Sequence, residues 1–141
     1  MLDAPNTASK PNADAIQTTG VLHFTIPVRD QHVAADYYRD LLGCEVLRIN
    51  QHFAFMKCGA DFFVLAKMPP EHLNANPPRG TKNHHAFMVE PAEFDRAMDI
   101  IKTRGVEVVK YEETGHVSFP GRHVYFHDPD GNCLEIIDLY K

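Results

Sequence analysis

Hydrophobic positions along the chain change period in a fixed order, and that order occurs twice. Val21–Val28 is short and rich in β-branched and aromatic residues, which predicts a strand. Asp30 then precedes a stretch in which Ala34, Tyr37, Tyr38, Leu41 and Leu42 fall on one helical stripe, and Gly43 is placed to end it. Three short apolar runs follow, Glu45–Ile49, His52–Lys57 and Asp61–Met68, separated by Asn50-Gln51 and Cys58-Gly59-Ala60. They predict strands joined by tight turns. Met68–Asn83, rich in proline and asparagine, reads as a connecting loop. Beyond it His84–Val89 predicts a strand, and Pro91 suits the first turn of a helix with Phe94, Ala97, Met98 and Ile101 at i, i+3, i+4 and i+7. Gly105 closes that helix, and Val106–Tyr111, Arg122–His127 and Leu134–Leu139 predict three more strands.

His23 and His84 lie 61 residues apart, and Gly43 and Gly105 lie 62 apart. The chain therefore reads as two copies of β-α-β-β-β, about residues 19–68 and 84–141, joined by the proline-rich loop. Residues 1–18 have no apolar period and read as a disordered tail. A half of about 60 residues buries too little surface to be stable unaided, so the two halves must share a core. The expected fold is α+β, a single domain at 19–141. Its tandem βαβββ modules would form a partly open, eight-stranded, barrel-like cavity with the helices outside.

Composition narrows the function classes. The 141 residues carry a net charge of −5 with no basic cluster, which argues against nucleic acid or a membrane surface as partner. No apolar run approaches the roughly 20 residues of a spanning helix, and no signal-peptide pattern opens the chain, so a cytoplasmic location is expected. Cys44, Cys58 and Cys133 are an odd number without C-x-x-C spacing, which indicates neither a disulfide framework nor a thiolate zinc site. Nine histidines are the unusual feature.

His23 and His84 each open the first strand of a repeat, with a valine five residues on in each case, Val28 and Val89. Strand alternation puts His23, Thr25 and Pro27 on one face and the more apolar Phe24, Ile26 and Val28 on the other. The same parity favours His84 over His85 as the cavity-facing histidine. Glu135 is a carboxylate near the start of an otherwise apolar last strand, costly there unless paired or bound to a cation. Two imidazoles and a carboxylate would give the facial N, N, O set of a divalent metal centre. From the residues alone, the competing reading is two hydrogen-bonded sheet histidines and a solvated edge carboxylate. His32 and His123 read as solvent-facing, and His127 as facing solvent or lying beside the site.

The phrase His23-Phe-Thr-Ile-Pro-Val-Arg-Asp30, with Tyr37-Tyr38 and Leu41-Leu42-Gly43, resembles the opening of vicinal oxygen chelate proteins, the glyoxalase, bleomycin-resistance and extradiol dioxygenase superfamily. Asp128-Pro-Asp-Gly-Asn-Cys-Leu-Glu135 does so too. The resemblance covers residues 19–141 and implies paired βαβββ modules, a divalent metal held by His23, His84 and Glu135, and a homodimer.

Thr114-Gly115-His116, followed by Val124-Tyr125, Asp128–Gly131 and Glu135, is similar to the signature of ring-cleaving extradiol dioxygenases. The resemblance implies His116 and Tyr125 as catalytic residues and Fe(II) as the first choice of metal, with Mn(II), Ni(II), Co(II) or Zn(II) as alternatives. The substrate would be a small catechol-type, oxygen-chelating diol cleaved with O₂. Two features depart from that pattern. Phe62-Phe63 stand where those enzymes carry a further histidine, and the chain has one such domain where the familiar dioxygenases have two. The alternatives are a metal-dependent isomerase, lyase or thiol transferase of the glyoxalase or fosfomycin-resistance kind, or a non-catalytic small-molecule-binding protein of the bleomycin-resistance kind.

Overall fold

The computed structural model describes residues 9–73, 76–114 and 118–139. The order is β1 (His23–Val28), α1 (Gln31–Leu42), β2 (Glu45–Ile49), β3 (Phe53–Cys58), β4 (Asp61–Lys67), a 3₁₀ turn at Pro70–His72, β5 (His84–Met88), α2 (Pro91–Thr103), β6 (Val108–Thr114), β7 (Gly121–His127) and β8 (Cys133–Leu139). Two four-stranded mixed sheets result, ordered β1-β4-β3-β2 (sheet A) and β5-β8-β7-β6 (sheet B). In each, the first strand of the repeat runs parallel to the last, and the remaining pairs are antiparallel. The sheets are not closed into one barrel. Among the described residues no helix is long and apolar enough to cross a membrane.

Local chemistry sets the boundaries. Asp30 caps α1, its Oδ1 accepting from the backbone N–H groups of His32 (2.8 Å) and Val33 (3.0 Å). These bonds favour the ionised form and hold the Asp30 carboxyl below its ordinary range. Gly43 ends the helix in the left-handed region, φ 68°, where a side chain would be strained. The third strand starts at Phe53, one residue later than the apolar run predicts, because Asn50 Oδ1 accepts from the N–H groups of His52 and Phe53 and makes that segment a turn. Strand β6 begins two residues later than expected because the N–H of Val106 returns to the carbonyl of Ile101 and completes the end of α2. It then runs on to Thr114, paired with Gly121.

The halves share one core. Ile26, Val28, Phe63 and Leu65 from sheet A are buried with Phe87, Val124, Phe126, Leu134 and Ile136 from sheet B. The seam is aromatic. Phe24 stacks on Phe63 (5.4 Å) and on the imidazole of His85 (4.5 Å), and Phe63 meets Phe87 edge-on (5.9 Å). A polar clasp also joins the halves. The Tyr38 hydroxyl of α1 donates to Asp128 Oδ2 (2.6 Å), and Asn132 Nδ2 donates to the Pro27 carbonyl of β1 (2.8 Å). Burial, reinforced by the Asp128 charge, raises the Tyr38 phenol well above its ordinary range and keeps it a donor.

At the start of β7, Gly121 adopts φ +152°, and a Cβ there would stand 1.9 Å from the carbonyl oxygen of Asp138. Gly121→Ala should therefore cost about 3 kcal/mol or more through overpacking and backbone strain. A urea midpoint equal to that of the unsubstituted protein would refute this.

Candidate metal-binding and active site

Register assembles the site on the open face of sheet B. Glu135 on β8 is paired with Ala86 on β5 and with Tyr125 on β7, while Ile137 is paired with His123. Partners across a ladder share a face, and alternate residues along each strand return to it. His84, Glu135, His123 and Tyr125 therefore project together, with Lys110, Glu112 and Thr114 of β6 beyond them.

Glu135 is the centre of this group and is almost fully buried, its side chain 6% exposed. Its Oε1 lies 3.1 Å from His84 Nε2, and its Oε2 lies 2.5 Å from His123 Nδ1. His84 Nδ1 is 2.6 Å from the carbonyl oxygen of Thr81. A carbonyl only accepts, so Nδ1 carries the proton, and in a neutral ring Nε2 then presents a lone pair. A lone pair facing a buried carboxylate at this distance calls for a cation, either a proton or a metal ion. The donor set thus fits a divalent ion on one side of Glu135. On the other side His123 Nε2 lies 3.1 Å from Thr114 Oγ1. A neutral His123 can accept from that hydroxyl and donate through Nδ1 to Glu135, which fixes the carboxylate's orientation.

Tyr125 stands edge-on to His84, ring centres 5.3 Å apart, and its hydroxyl donates to Glu112 Oε1 at 3.4 Å. Desolvation, followed by the charges of Glu135 and Glu112, raises the phenol above its ordinary range. Tyr125 therefore stays protonated and serves as a hydrogen-bond donor.

His23 lies elsewhere. It opens β1 in sheet A beside Phe62 and faces a cavity of about 510 Å³ also lined by Cys58, Phe63 and Met88. No strand pairing links the two sheets, and among the described residues no three His, Cys, Asp or Glu side chains gather to hold a metal ion. The structure brings His84 and Glu135 together but not His23. His116 lies outside the described residues.

The two open faces differ sharply. Matching the registers of β1/β4 and β5/β8 puts Val64 in sheet A where Glu135 stands in sheet B. The antiparallel pairs likewise put Phe55 opposite the role of Tyr125 and Phe53 opposite that of His123. Of the polar group only the histidine at the head of the strand is kept. Phe53 and Phe62 are 39% and 38% exposed, so this face presents apolar surface to solvent.

His123 corrects an expectation. It reads as solvent-facing in sequence but is 5% exposed and bound to Glu135, a role visible only once β7 and β8 are in register. His127 is half-buried, with Nε2 2.9 Å from the Gly80 carbonyl.

The profile of the Glyoxalase/Bleomycin resistance protein/Dioxygenase superfamily matches residues 20–136. The chain belongs to this superfamily. Among its relatives, the fosfomycin resistance protein FosX of Listeria monocytogenes is 28% identical over 123 residues, covering 84% of this chain and 88% of that protein. The glutathione transferase FosA of Serratia marcescens is 27% identical over 114 residues, covering 81% of this chain and 77% of that protein. The crystal structure of L. monocytogenes FosX with Mn(II) and sulfate aligns with TM-score 0.68 at 20% identity, covering 88% of this chain and 93% of that one.

These relatives overturn the extradiol dioxygenase expectation, and with it the oxidoreductase class, O₂ and catechol cleavage. The physical reason is that much of the motif carrying that resemblance serves the fold. Asp128 Oδ1 accepts from the N–H groups of Asp130 and Asn132 while its Oδ2 takes the Tyr38 hydroxyl. These bonds form a clasp between the repeats, a structural role independent of the reaction. Phe63, near the place of the missing histidine, is a core residue.

Proposed function

We propose that the protein is a metal-dependent enzyme that opens or transfers a group to a small, oxygen-rich, metal-chelating substrate by Lewis-acid chemistry. Thiol transfer or hydration of a phosphonate epoxide of the fosfomycin type is the leading case. The observation that carries this reading is the buried Glu135, held by His123 on one side and facing the Nε2 lone pair of His84 on the other. The fosfomycin-resistance relatives and their Mn(II)-containing structure support the substrate class and a divalent ion.

In this proposal His84 and Glu135 are two of the ligands. The third is His23 of a second copy, because His23 within the chain stands on the other sheet, exposed, at the rim of an apolar face suited to burial in a homodimer. A bound divalent ion would polarise substrate oxygens and stabilise developing negative charge. The chain's own residues do the rest. His123 and Thr114 hold the carboxylate in one orientation. Tyr125 donates to a substrate oxygen and stays protonated while it does so. Lys110, its Nζ 5.6 Å from the Tyr125 ring centre, brings positive charge to the approach of an anionic group.

The test is phosphorus NMR of fosfomycin incubated without O₂ with the Mn(II)-loaded protein and, in turn, glutathione, cysteine or water alone. A new phosphonate resonance with one nucleophile is expected. An unchanged spectrum with all three would refute the proposal.

A further inference from the structure

Cys44 and Cys58 are 14 residues apart in sequence but are brought together by the β2–β3 register. Glu45 pairs with Lys57, so Cys44, one residue before β2, stands opposite Cys58, the last residue of β3. The kind of pair follows from where their backbones point. Cys58 pairs with Asp61 across the two-residue turn Gly59-Ala60, so its N–H and C=O face β4 and turn away from β2. The N–H of Cys44 is committed to the Tyr38 carbonyl at 3.3 Å. The two cysteines thus occupy a non-hydrogen-bonded position of the ladder, where facing Cα atoms are about 4.5 Å apart, within the range a disulfide spans. Cys44 is buried, and Cys58 lines the cavity that also holds His23 and Phe62.

We propose that Cys44 and Cys58 form a reversible dithiol–disulfide site whose oxidant is a peroxide. The proximity of the Cys44 thiol, against the effect of burial, brings the Cys58 thiol down to about 7. The Cys58 sulfur, together with burial, raises Cys44. Cys58 is therefore the attacking sulfur. Its thiolate attacks one peroxide oxygen, an S–O bond forms, the O–O bond breaks and hydroxide leaves, giving the sulfenic acid. The Cys44 sulfur then attacks the Cys58 sulfur, the S–S bond forms and the S–O bond breaks. The hydroxide released takes up the Cys44 proton as water. The two thiols lose two electrons, and the peroxide gains them. A dithiol reductant reverses the change. The bond would tie the start of β2 to the end of β3 and fix the wall of the cavity beside His23.

Trypsin tests this directly, because Cys44 falls in peptide 40–48, Cys58 in 58–67 and Cys133 in 123–141. The full chain is treated with hydrogen peroxide, blocked with N-ethylmaleimide, digested without reductant and measured by mass spectrometry. The expected product is 40–48 joined to 58–67, lighter by two hydrogens than the sum of the two peptides and separated again by dithiothreitol. The thiol titre of the denatured protein should fall from three to one. A titre that stays at three, a bond involving Cys133, cross-linked chains, or Cys58 oxidised to sulfinic acid without the linked pair would overturn the proposal.

Discussion

Glu135→Gln and His84→Ala should each lower turnover and divalent-metal affinity by at least about a hundredfold, since losing even an outer partner of a metal ligand costs roughly 10- to 100-fold. Glu135 bridges His84 and His123 on the open face of sheet B, so the amide loses the charge both imidazoles address. The assignment of His23 to a second copy sharpens this expectation. His23→Ala protein should be equally inactive, yet mixing it with Glu135→Ala protein under exchange should restore activity. Random reassortment in a two-fold dimer puts half the pairs in mixed form, each with one intact centre of two, so recovery approaches about a quarter. Metal content by elemental mass spectrometry and turnover of the mixture check both parts. If mixing recovers nothing, His23 does not serve across the dimer. If Glu135→Gln binds metal as tightly as the unsubstituted protein, the centre is elsewhere.

Asp128→Ala should be strongly damaging to the fold although it lies outside the apolar core. The Asp128 side chain is 4% exposed and accepts from the Tyr38 hydroxyl, the N–H groups of Asp130 and Asn132, and Asn132 Nδ2. Removing it orphans a buried phenol and frees the turn that leads into β8, at an expected cost of about 3–5 kcal/mol. Tyr38→Phe deletes one partner only and should cost about 1–2 kcal/mol. Urea unfolding followed by circular dichroism separates the two values, and equal midpoints would show that the clasp carries no such load. Because this turn also sets where Glu135 emerges, Asp128→Ala should lower metal affinity even where it remains folded.

The duplicated architecture was legible because periodicity and punctuation agreed. The stripe from Ala34 to Leu42 lies between Asp30 and Gly43, and the two heading histidines mark corresponding strands. The grouping of His84 with Glu135 was legible through parity, which puts both on the same face of sheet B and leaves His85 and Asp138 on the other. His123 was not, because its meaning depends on being one rung from Tyr125 and within reach of the Glu135 carboxylate, a relation between strands rather than along one. The Cys44–Cys58 pair was hidden for the same reason. The dioxygenase expectation failed differently. Asp128–Gly131 secures the repeats and Tyr125 is a general hydrogen-bond donor, so neither discriminates among reactions.

The replacement of Glu135, Tyr125 and His123 by Val64, Phe55 and Phe53 at matching rungs of sheet A fixes a stoichiometry. A tandem duplication that had kept both sets would carry two catalytic pockets per polypeptide. On the proposed function, this chain would carry one such set among its described residues, on sheet B, and the matching face of sheet A would be free to supply one imidazole and a greasy wall.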